Sequence, residues 1–97
     1  MRRDHEAGLN AALDQLYLQG SAAILWEHLY LWYNAHRLSK GVFSDIIERW
    51  QALCEGYGYS EDEIPELEEI QSSDTWLLLC RGLFKGEEQR TPLADRT

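Results

Sequence analysis

The chain has few cysteines, few prolines and no long apolar run, and from residue 55 to residue 74 it has no basic residue at all. Each scarcity excludes something. Two cysteines, Cys54 and Cys80, cannot build a disulfide framework. Both sit in apolar patterns and read as buried thiols of a reducing compartment, with one bridge between neighbouring helices as the alternative. The longest apolar stretch, Ala22 to Tyr33, is interrupted by Glu27 and His28. It is far shorter than the ~20 residues that span a bilayer. Met1-Arg2-Arg3 runs into Asp4, His5 and Glu6 rather than an apolar segment, so no signal peptide is expected and the reading is cytoplasmic.

Chemical signatures are also missing. There is no CxxC, no HExxH, no phosphate-binding glycine loop and no nucleophile elbow. His28, His36 and Cys54 make a zinc site only by a chance assembly, because nothing in their spacing brings three ligands together. The histidines read instead as the edge of an aromatic core. No cofactor, no metal and no catalytic residue is expected, and the protein reads as a non-enzyme. Direct nucleic-acid binding is disfavoured, because phosphate contacts need a Lys/Arg stripe. Arg37, Lys40 and Arg49 offer only a weak basic spot among Asp45 and Glu48.

What the chain does have is aromatic bulk and one concentrated charge. Four Trp, five Tyr and two Phe in 97 residues can close the core of one small domain. The net charge is −8. Eight acids and no Lys, Arg or His lie between Glu55 and Asp74, while the other nine acids are matched by nine Lys or Arg. The excess therefore belongs to one segment, a local field that can steer a positive partner.

Apolar residues recur at three and four, and neither strand alternation nor a β-branched run stands out. The expected fold is all-α: a compact bundle of four to five short helices over residues 1–86, with a flexible polar tail at 87–97. The first helix spans about His5 to Gln19, with Asp4 as a candidate N-cap and Gly20 as its stop. A second runs from Ser21 to about Leu38. A third, capped by Ser39 or Ser44, carries Phe43, Ile46, Ile47, Trp50, Leu53, Cys54 and Tyr57 and ends at Gly56 and Gly58. Ser60 and Glu63 fit a capping box for a short fourth helix, which starts near Glu61 or at Pro65 and ends near Gln71. A fifth, capped around Ser72, Ser73 and Asp74, ends near Gly86.

Two candidate surfaces follow. Glu61, Asp62, Glu63, Glu66, Glu68 and Glu69 form an acidic patch able to pair with Lys and Arg. On the second helix, Trp26 and Trp32 point about 120° apart at ~100° per residue, so one of them faces a groove or a partner. Trp26 and Tyr30 are the aromatic anchors of that face. The functional expectation is a small inhibitor that blocks a basic, nucleic-acid-handling protein, such as a nuclease, by steric and electrostatic occlusion, in the manner of anti-CRISPR or toxin-immunity proteins. The alternative is a regulatory or adaptor subunit that binds through the aromatic helix, as a homodimer in one version.

Overall fold

The computed structural model describes residues 2–70, 73–74, 76–81 and 90–97, with the side chains of Trp76, Leu78, Cys80 and Arg81 outside that description. Its architecture is not an all-α bundle. Among the described residues, three helices and a four-stranded antiparallel sheet share one apolar cluster, so the expected fold class is overturned.

Helix α1, Arg3–Gln19, buries Leu9, Leu13 and Leu16 along one stripe. Gly20 ends it in the left-handed region at φ 90°, and its N–H donates to Leu16 O at 2.9 Å. Glycine adopts that conformation at no steric cost, and it turns the chain sharply back. The next five residues do not start a second helix. Ser21–Leu25 is strand β1, which buries Ala22 and Ile24 and exposes Ser21 and Ala23. Ala and Leu favour helix locally, so pairing with a later strand decides the outcome. Helix follows only at α2, Trp26–Trp32. Asn34, at φ 48°, turns the backbone away just past α2, well before the expected end at Leu38.

Helix α3, Lys40–Gly56, buries Val42, Phe43, Ile46, Trp50 and Cys54. Ser39 stands at its N-cap position without a side-chain cap bond. Gly58, at φ 94°, closes the far end, where Gly58 N–H donates to Glu55 O and Tyr59 N–H to Cys54 O. The Ser60–Glu63 capping box forms, but it closes a single 3-10 turn, Glu61–Glu63, rather than a fourth helix. Proline disfavours helical backbone in the residue before it, and Ile64 is extended at φ −67°, ψ 121°. The chain then enters strand β2, Leu67–Ile70. The expected helix end at Gln71 lies outside the described residues.

The expected fifth helix is strand β3, Trp76–Arg81, over its described part. Its expected end at Gly86 lies outside the described residues. Strand β3 pairs with β1, Ala23 opposite Leu78, and with β2, Glu69 opposite Leu79. The expected loose tail is also corrected over its described part. Arg90–Pro92 is strand β4, paired with β2, and a 3-10 turn, Leu93–Arg96, follows. Leu93 is 0 % exposed, a full member of the core.

The strand order is β1-β3-β2-β4. Ala22, Ile24, Leu67, Leu77 and Leu79 are buried with the stripes of α1 and α3 in one apolar cluster. Trp50 ties the layers together, because its Nε1 donates to Pro65 O at 2.8 Å in the interior. Cys54 is a buried thiol on α3. Its expected alternative, a bridge to Cys80, involves a side chain outside the described residues.

Candidate functional site

The six acids expected to act together are divided by the fold. Glu61, Asp62 and Glu63 occupy the 3-10 turn, and Glu66 follows Pro65; all four are exposed. The Glu63 carboxylate accepts from Ser60 Oγ at 2.6 Å and Ser60 N–H at 3.3 Å. The Ser60 hydroxyl, with help from the backbone N–H, holds that carboxyl below its ordinary range. Glu61, Asp62 and Glu66 make no ion pair among the described residues.

Glu68 and Glu69 have other surroundings. Alternation along β2 leaves Glu68 half-buried and turns Glu69 inward, only 9 % exposed. A buried carboxylate needs a charged partner. Arg96 supplies it with a two-pronged contact: Nε donates to one oxygen, and Nη2 to the other at 3.0 Å. The Glu69 hydrogen bond raises the Arg96 guanidinium above its ordinary value against the opposing effect of burial.

Glu61 and Glu66 border a cleft of about 250 Å³ between α3 and the chain leading into β2. Half-buried Ile47 and Ile64 and buried Pro65 give it apolar walls. Among the described residues around it there is no Lys, Arg or His. Chemically, it can take the methylene stem of a basic side chain while the carboxylates meet its charged end.

Trp26 and Tyr30 stand apart from this cleft. They border a groove of about 520 Å³ with Arg37, Phe43 and Arg96. Trp26 is half-buried, and its Nε1 donates to Ser73 O at 2.7 Å. Its ring meets Phe43 edge-on, 6.5 Å between centroids at 78°. The Arg96 guanidinium lies 5.3 Å from the Trp26 centroid and 5.4 Å from that of Phe43. Tyr30 is 39 % exposed. Trp32 packs against α1 at Gly8, where an added Cβ would lie 3.0 Å from its ring.

Sequence reasoning missed Arg96. It lies in a polar terminal stretch 27 residues from Glu69, and no local pattern announces the pair. The basic spot, read as weak because Asp45 and Glu48 lie within it, is engaged at Arg49. Arg49 donates through Nε to Asp45 at 2.8 Å and through Nη1 to Glu6 at 3.0 Å, so its charge is internally matched. Among the described residues, no group of three His, Cys, Asp or Glu could hold a metal ion, and no helix is long and apolar enough to cross a membrane. Comparison with known proteins finds no matching family model, no matching curated protein and no matching solved structure.

Proposed function

We propose that this protein is a non-catalytic, cytoplasmic binding inhibitor of a basic, nucleic-acid-handling protein. The acidic turn occupies Lys and Arg side chains that the target uses for phosphates. One observation carries this reading: Glu61, Asp62, Glu63 and Glu66 are exposed together, with no cationic partner among the described residues. Glu69 is left out of the interface because Arg96 already engages it. The cleft beside Glu61 and Glu66 supports the reading by offering apolar contact next to the charges. The likeness to anti-CRISPR and toxin-immunity proteins is one of type alone.

The test is capture of a basic target from host lysate, followed by titration of the purified pair. Glu61→Lys with Glu66→Lys should weaken binding by about 10- to 100-fold, since each lost charge-assisted contact is worth about tenfold. Raising the salt should weaken the wild-type complex steeply. Unchanged affinity in the double variant would sink the proposal. A second reading, an adaptor that binds through Trp26 and Tyr30, is favoured by the exposure of Tyr30 beside its groove. In that case Tyr30→Ala weakens binding and salt has little effect.

A further inference from the structure

The two outer strands of the sheet are unlike each other. Strand β4 carries Arg90 and Pro92, and β1 carries Ser21-Ala22-Ala23-Ile24-Leu25. A charge and a proline are the devices by which an edge strand resists pairing with another chain. Strand β1 has neither. It ends the sheet, and no described strand pairs its outer side. We propose that β1 pairs antiparallel with β1 of a second copy of this chain, joining two four-stranded sheets into one.

The sequence of β1 suits its own copy. With the two-fold axis at Ala23, Ala22 of each copy falls opposite Ile24 of the other, and Ser21 opposite Leu25. Small residues meet large ones, and the smallest outward side chain, Ala23, sits where the copies approach most closely. Because antiparallel pairing about this axis preserves the faces, Ala22 and Ile24 stay on the helix-covered side in both copies. No charge opposes its own copy across the junction. The exposed acids from Glu61 to Glu66 precede β2, and β3 stands between β2 and β1. Exposed apolar residues flank the strand: Leu18, 72 % exposed, on the last turn of α1 leading in, and Leu31, 57 % exposed, on α2 leading out.

Sedimentation of the isolated protein over a dilution series tests this. The wild type should have twice the chain mass when concentrated and move towards one chain mass on dilution. Ala23→Lys, which sets two like charges against each other at the axis, should be a monomer throughout with an unchanged circular dichroism spectrum. A wild type that is monomeric at every concentration overturns the proposal, and so does an Ala23→Lys variant that dimerises like the wild type. If Ala23→Lys fails to fold, amide exchange in the wild type decides: β1 amides that lose protection on dilution support pairing, and protection independent of concentration refutes it.

Discussion

Asp45 shows how single residues hold the helices in place. Its Oδ2 accepts from Tyr33 Oη at 2.7 Å and from Arg49 Nε at 2.8 Å, and Arg49 reaches on to Glu6 of α1. Burial raises the Asp45 carboxyl, but the hydrogen bonds from Arg49 and Tyr33 outweigh it and leave it below the ordinary carboxylate range. Burial, followed by the bond to Asp45, pushes the Tyr33 hydroxyl up. A depressed carboxyl stabilises the folded state above its unfolded pKa, and that contribution is lost as pH falls through its folded pKa. Asp45→Asn should therefore cost about 1 kcal/mol at neutral pH, a modest figure because the group is partly exposed to solvent. The gap between wild type and variant should close on acidification. Thermal unfolding of both proteins from neutral to acidic pH would check this, and a gap that stays constant would contradict it.

At the scale of elements, the terminal segment shows what local reading overlooks. Leu93 is the one large apolar residue in the stretch from Arg90 to Thr97, and it is fully buried beneath α3 and β2. Strand β4 and the Glu69–Arg96 pair hold its turn against the sheet. Leu93→Ala should destabilise the protein by about 2–5 kcal/mol, the range for a leucine removed from a packed core. A loose tail would show no change, so denaturant titration separates the two cases. The helices α1 and α3 were legible because their buried residues recur at three and four. The strands were not. Strand β1 places alanine on both faces, β3 is apolar at five consecutive positions, and β2 turns a glutamate inward. Each hides the alternation that marks a strand, and short apolar runs do not separate strand from helix by period alone.

For the whole molecule, charge is distributed as unevenly as the sequence count implies. The exposed acids of residues 61–66 lie close together without cations to offset them among the described residues. Their mutual repulsion works against folding and is weakened by added ions. The isolated protein should melt at a higher temperature in about 0.15 M salt than at low ionic strength, where the screening length is several times longer. Glu61→Gln with Glu66→Gln should reduce that salt response. Calorimetry at several salt concentrations measures both, and a melting temperature that falls with salt would contradict the account. Under the proposed function the same salt would weaken binding to a basic target, so stability and affinity should move in opposite directions.

By itself the sequence determined the two long helices, the stops at Gly20 and Gly58, the Ser60–Glu63 box and the location of all eight excess charges. These depend on neighbours within a few residues, where side-chain period, backbone freedom and capping chemistry act directly. Only the tertiary structure decided that Ser21–Leu25, Leu67–Ile70 and Trp76–Arg81 are strands, that Leu93 is core, and that Glu69 pairs with Arg96. Strand pairing and ion pairing across tens of residues are settled by which surfaces meet, and local preference is too weak to anticipate them.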